Sequence, residues 1–311
     1  MRPFGVCVWL PRYTVALFKS DLLASMTVAI VLVPQAMSYA KLAGLSPVYG
    51  LYTSTIPVIL FGLCTSSSQV APGPVAPTAL LMLAMVTGMT SAAPFSGEFT
   101  RIHVALACVT GLVQIAMGVL QFTWVSDLIS VPVMMGFSWA AGVGIIGTQL
   151  SDFFGLTGVP RESNTFLRFY RAAIVANTAQ WATCIIAIVN TAVMLFAKDV
   201  KCCGRPHARK FPFPMAVIFI MTLLSYLIDF AGRSGVRIVG PIPTKLPLPS
   251  APLSSVDDIS LVIGNAIVLG IINYVQTVSL ALIFGKKAGD KIEPPMEMYA
   301  LGISSVIGSC A

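Results

Sequence analysis

The feature that most constrains this chain is a series of apolar stretches, nearly free of charge and most of them close to 20 residues long. Eight of them recur, over 22–40, 51–64, 75–90, 103–125, 129–150, 172–197, 213–230 and 259–284, and a ninth opens near Met296. A bilayer's hydrocarbon core is about 30 Å thick and takes about 20 apolar residues to cross as a helix. Only 10% of the 311 residues are charged and 56% are hydrophobic, whereas a soluble domain carries about 25% charged residues. Inside lipid each backbone N–H and C=O must be satisfied within the segment, and apolar runs of this length do that as helices. The expectation is an all-α integral membrane protein in a lipid bilayer. The runs are too many and too long for a signal peptide, and residues 1–19 carry no cleavable pattern.

The net charge of +7 raises the question of a nucleic-acid partner, and its distribution answers it: Lys and Arg lie in the short connections between apolar runs, the usual topology signal. No nucleic acid is expected. With the N-terminus inside, the inner segments hold Arg2, Arg12, Lys19, five basic residues between Lys198 and Lys210, and Lys286, Lys287 and Lys291, eleven of nineteen. The short basic loop weighs most, so the N-terminus is expected in the cytoplasm. The seven cysteines have no metal-ligand spacing, and most lie in apolar runs where Cys behaves as a small hydrophobe. Cys202 and Cys203 form a pair beside a span end, readable as a palmitoylation site or as incidental. His103 and His207 are far apart in sequence, and no nucleophile–base pair is present. No enzyme chemistry, metal or cofactor is expected.

The first run continues as VLVPQAMSYAKLAGLSPVYGLY over 31–52. Pro34 removes a helical hydrogen bond and predicts a break, and an amide follows it directly. Gln35 and Tyr39, four apart, share a helix face and point to a cavity holding something polar, or to repair of backbone groups freed by Pro34. A second stretch, TSSSQVAPGPVAPTALLM over 65–82, places Pro72, Gly73, Pro74 and Pro77 at the opening of an apolar run. Pro fits a first helical turn. A half-helix starting near Val75 and Ala76 would aim free N–H groups and a positive dipole end into the protein, an anion site with no charged side chain. The alternative is an ordinary loop entering a span. The second and third runs are short and interrupted by Gly and Pro, as at transporter sites built from broken helices.

The eighth run carries Asn265, Asn273, Gln276, Thr277 and Ser279. Asn273, Gln276 and, less well, Asn265 lie near one face, either as site donors or as interhelical hydrogen-bond glue. The segment VRIVGPIPTKLPLPSAP over 236–252 has too many prolines for a helix and reads as an extended connection.

Taken together, these motifs resemble the sulfate permease (SulP) family of anion transporters. DLLASMTVAIVLVPQAMSYAKLAGLSPVYGLYTSTIP resembles the family's first two spans and PGPVAPTALLM the start of its third. SVPVMMGFSWAAGVGIIGTQLSDFFGL is similar to its fifth, VGPIPTKLPLPSAP to the outer loop after the seventh, and EMYALGISSVIGS to the opening of the ninth. The resemblance implies an inverted-repeat transporter fold of seven plus seven segments, with a core domain and a gate domain, here cut off in the ninth span. It divides the chain into a cytoplasmic N-terminus (1–21), a first repeat (22–230), an outer loop (231–258) and the start of a second repeat (259–311), without the STAS domain most members carry.

The resemblance assigns Gln35, Tyr39, Val75 and Ala76 to the central anion site, with Gln276 where proton-coupled relatives often carry glutamate. Gln cannot exchange a proton, and an intramembrane carboxylate would be the default coupling group. Anion exchange or uncoupled movement is therefore expected over proton or sodium symport. Glu297, at a span edge, is read as a tie within the core. Expected partners are an inorganic anion (sulfate, chloride, bicarbonate or oxalate, and iodide as a further candidate), the bilayer, and a second copy as a homodimer of the full-length protein, in the plasma membrane. The alternatives are a nucleobase permease of the same architecture, a non-transporting membrane scaffold, and an inactive truncated fragment.

Overall fold

A computed structural model describes residues 5–6, 10–122, 131–157, 159, 165–202, 213–238, 240, 251–253, 256–289 and 292–310. Among them all regular structure is helical. The longer helices are α1 (Val15–Leu42), α2 (Pro47–Thr53), α3 (Ile56–Cys64), α4 (Ala76–Met89), α5 (Gly97–Val119) and α6 (Val131–Phe153). They are followed by α7 (Thr165–Ile174), α8 (Trp181–Cys202), α9 (Phe213–Ile228), α10 (Phe230–Ser234), α11 (Val256–Ala288) and α12 (Pro294–Cys310). Four stretches among the described residues are long and apolar enough to cross a membrane: Val15–Leu42, Pro47–Cys64, Gly97–Val119 and Asp258–Leu282. The pair Cys202–Cys203 and most of the proline-rich connection lie outside the residues whose side chains are described.

Two expectations about breaks are corrected. Pro34 lies inside a continuous 28-residue helix. It forfeits one backbone bond, but the apolar residues on either side have no water to satisfy their own groups, so the rest of the ladder is kept. The helix ends instead at Gly44, whose φ of +79° suits a residue without Cβ. Gly44 N–H donates to Lys41 and Leu45 N–H to Ala40, a Schellman closure. Conversely, the run over 172–197 is not one helix. α7 ends at Ile174, a single 3-10 turn spans Ala176–Thr178, and α8 starts at Trp181. Gln180 causes the interruption: its N–H donates to Phe154 O at 3.0 Å, its side-chain amide donates to the Ser234 carbonyl, and its Oε1 accepts from Thr183 at 2.8 Å.

The chain forms two compact units, one of Met1–Lys19, Gln35–Gly142 and Pro243–Ala311, the other of Ser20–Pro34 and Val143–Ile242. In the first, α5 is the central helix. Its Phe99, Ile102, Leu106 and Val109 pack with Leu83 and Val86 of α4 and with Val262, Ala266 and Leu269 of α11. Lower on α5, Met117 joins Tyr274, Val275 and Val278 of α11 and Met298 of α12. α12 lies against α5 at glycines: a Cβ on Gly302 would sit 2.7 Å from Gly111 O, and one on Gly111 would sit 2.8 Å from Gly302 O. Such backbone-to-backbone approach is how helices gain dispersion contact in lipid, where no hydrophobic drive brings them together. Phe61 of α3 packs on Ala300 and Leu301 of α12. In the second unit, Arg237 donates to Leu156 O at 3.1 Å, and the Asp229 carboxylate caps α10 through Gly232 N–H at 3.1 Å.

Candidate functional site: the start of a short helix

α4 has 14 residues, a rise of about 21 Å against a hydrocarbon core of about 30 Å. Pro74 precedes it and Pro77 occupies its first turn. Val75 is its N-cap, in extended backbone, and supplies no side-chain cap. The first intrahelical bond runs from Ala79 N–H to Val75 O at 3.0 Å. The N–H groups of Ala76 and Thr78 precede it and therefore have no partner within the helix, and Pro77 has none to offer. Ala76 is buried at 4% exposure and Val75 is exposed. The helix start is thus an uncapped donor end with the positive pole of the dipole.

The segment leading into α4 is held by a buried carboxylate. Glu297, in the first turn of α12, is fully buried. It accepts from the Thr65 hydroxyl at 2.9 and 2.8 Å, from Ser66 N–H at 2.9 Å and from the Ser66 hydroxyl at 2.7 Å. Ser66 Oγ in turn accepts from Glu293 N–H at 3.0 Å. The reading of Glu297 as a tie within the core holds, and its partners are the residues that fix where 65–75 begins. Thr65 Oγ1 also accepts from Ser67 N–H at 3.0 Å, so the turn is satisfied by its own hydroxyls.

The other residues singled out in the sequence fall as follows. Gln35 is exposed on α1 and Tyr39 is half-buried, and the Gln35 amide donates to the Tyr39 hydroxyl at 3.1 Å. That bond leaves the second amide hydrogen and the phenolic hydrogen for other acceptors. Among the described residues neither hydrogen-bonds to Val75, Ala76 or Gln276. Gln276 of α11 is half-buried, and its Nε2 is buried with no hydrogen-bond partner. Asn273, one turn earlier, accepts at Oδ1 from the Thr78 hydroxyl of α4 at 3.0 Å. Asp258, at the entrance of α11, pairs with Arg101 at 3.0 Å, and no Asp or Glu occurs in α11 beyond that point.

Sequence reasoning did not find Thr78, Thr65 or Ser66, whose partners lie 195, 232 and 231 residues away. The available signal was weak: hydroxyls bracketing a Pro/Gly-rich opening. Break repair is also visible at the α2–α3 joint, where Thr53 and Ser54 donate to Gly50 O and Thr55 donates to Tyr52 O, at 3.0, 2.8 and 2.9 Å. These hydroxyls cover carbonyls that an interrupted span would leave bare.

The sequence model of the sulfate permease family matches residues 18–311. Probable sulfate transporter 4.2 of Arabidopsis thaliana is 31% identical over 293 residues, covering 94% of this chain and 42% of its own length. Solute carrier family 26 member 6 of Homo sapiens is 31% identical over 329 residues, covering 99% of this chain and 42% of its own. Among solved structures, the murine Solute Carrier 26 family member A9 anion transporter in the inward-facing state superposes with a TM-score of 0.88 at 26% identity, covering 99% of this chain and 52% of that one. The transmembrane domain of the cyanobacterium bicarbonate transporter BicA gives 0.80 at 17% identity, over 96% of this chain and 74% of that one, a likeness in fold alone. The chain spans less than half the length of these curated relatives. It is an all-α integral membrane protein of a family of transporters rather than enzymes, and it belongs to the sulfate permease family.

Proposed function

We propose that this chain forms the first part of a secondary active anion transporter working by alternating access around a site at the start of α4. The observation that carries the reading is the uncapped first turn of that short helix, set beside amide-bearing α11 with no carboxylate past Asp258. An anion there lies at the N-cap Val75 and meets the N–H groups of Ala76 and Thr78 and the positive helix end, with Gln276 Nε2 as a buried donor lacking an acceptor. Gln35 and Tyr39 complete the donor set in this proposal, approaching from α1 when the substrate binds. Sulfate or a related anion (chloride, bicarbonate, oxalate) is the cargo, and the likeness to a probable sulfate transporter and to a murine anion transporter supports that class. Movement is by exchange or is uncoupled, because no side chain in the middle of α11 can carry a proton.

The two compact units support the assignment of a core (α2–α5, α11 and α12 with Gln35–Leu42 of α1) and a gate (α7–α10). The domain division read from the sequence, a cytoplasmic N-terminus, a plasma-membrane location and a homodimer of the full-length protein belong to the same proposal. The test is radiolabelled sulfate uptake into liposomes loaded with chloride, with oxalate or with neither, for the 311-residue chain and for a version joined to a second repeat. Uptake that needs an internal counter-anion supports exchange. Uptake that instead follows an imposed proton gradient contradicts this reading.

A further inference from the structure

We propose that Thr78 and Asn273 are a positioning pair that fixes the first turn of α4 against α11, a proposal that rests on the reading of that turn as the anion site. A threonine hydroxyl inside a helix ordinarily donates to the carbonyl four residues back. Thr87, Thr110, Thr191 and Thr222 all do so, at 2.7–2.8 Å. For Thr78 the residue four back is Pro74, outside the helix, and the hydroxyl is used between helices, donating to Asn273 Oδ1 at 3.0 Å. The large apolar side chains that seat α4 in the cluster around α5 begin at Leu81, Met82 and Leu83, whereas the turn before them buries only the small side chains of Ala76 and Ala79. The bond therefore sets the rotation of the turn whose N–H groups would face the anion.

It also sets Asn273. An amide that accepts on its oxygen turns its two N–H groups away from the donor. Gln276, three residues on and hence a neighbour on the same helix face, has its Nε2 buried without an acceptor. Amide donors of α11 and backbone donors of α4 are thereby kept in one register, and the acceptor that the group lacks is supplied by the substrate. Reducing the threonine to an apolar isostere leaves α4 in place through its lower contacts and lets the first turn rotate.

Half-saturation constant, maximal rate and melting temperature are measured in liposomes, with sulfate as the transported anion and chloride inside. The variants are Thr78→Val, Thr78→Ser, Asn273→Leu and the double Thr78→Val/Asn273→Leu. One lost hydrogen bond predicts a half-saturation constant raised about 2- to 10-fold in Thr78→Val and in Asn273→Leu, with Thr78→Ser near wild type and the double variant no worse than either single one. Should Thr78→Val fail to accumulate, Asn273→Leu breaks the same bond from the other side. An unchanged half-saturation constant with only a lowered melting temperature, or multiplicative effects in the double variant, overturns the positioning role. Absence of uptake by the wild type, both as the 311-residue chain and joined to a second repeat, defeats the anion-site reading instead. The pair is then judged by its coupling in melting temperature alone, and additive effects there overturn it.

Discussion

Replacing Gly302 by Ala tests the backbone-to-backbone approach of α12 to α5. An added Cβ meets the Ile115 side chain first, then Gly111 O at 2.7 Å and Ile115 N at 2.9 Å. Two of these three neighbours are backbone and have no rotamer to change, so α12 must shift outward or bend. Overpacking of this kind costs about 1–3 kcal/mol, and the higher helix propensity of Ala returns about 1 kcal/mol. The net expectation is a loss of up to about 2 kcal/mol. The same substitution at Gly264 of α11, where no atom lies within 4 Å of the added carbon, keeps the propensity gain and should stabilise by up to about 1 kcal/mol. The two variants are compared by thermal unfolding in one detergent at one concentration. Gly302→Ala should melt below wild type and Gly264→Ala at or above it. If Gly302→Ala melts as high as Gly264→Ala, the α5–α12 approach is looser than described and the packing argument fails.

Three further outcomes are expected. Glu297→Gln replaces an acceptor of three donors, the Thr65 hydroxyl and the N–H and hydroxyl of Ser66, by a group that points a donor at other donors. It should cost about 1–3 kcal/mol, seen as a lower melting temperature and faster proteolysis within 65–68. Gln35→Leu removes the donor bonded to Tyr39 and should raise the half-saturation constant for sulfate at normal membrane abundance. An unaltered constant would remove Gln35 from the site. Gln276→Glu introduces a carboxylate that repels anions when ionised, so uptake should become stronger at acidic than at neutral pH while the wild type stays flat. Equal pH profiles would count against Gln276 facing the substrate.

The broad architecture was legible because the bilayer admits few solutions. Apolar runs of the right length gave the spans, and the prolines around 72–77 correctly announced that α4 starts at Ala76. Local rules misled at Pro34, where the surrounding medium outweighs the intrinsic cost of a missing donor. They misled again at 175–180, where a tertiary bond to Ser234 interrupts an otherwise apolar run. Ser96 caps α5 by accepting from Phe99 N–H at 3.2 Å, so this span begins at Gly97 rather than at 103. The candidate site was legible in its backbone part and in its two amide-bearing helices. It was not legible in its supports, since Thr78–Asn273 and Thr65–Glu297 join residues whose separation along the chain carries no periodic signal.

The proposed function turns on binding of the anion by the free N–H groups at the start of α4. Residue-resolved amide hydrogen exchange on the reconstituted chain, with and without sulfate or chloride, addresses it directly. The prediction is anion-dependent slowing at Ala76 and Thr78, with Leu83 and Val86 in the same helix unchanged. Uptake that persists while exchange at Ala76 and Thr78 ignores the anion would contradict the claim and move the site elsewhere in the molecule.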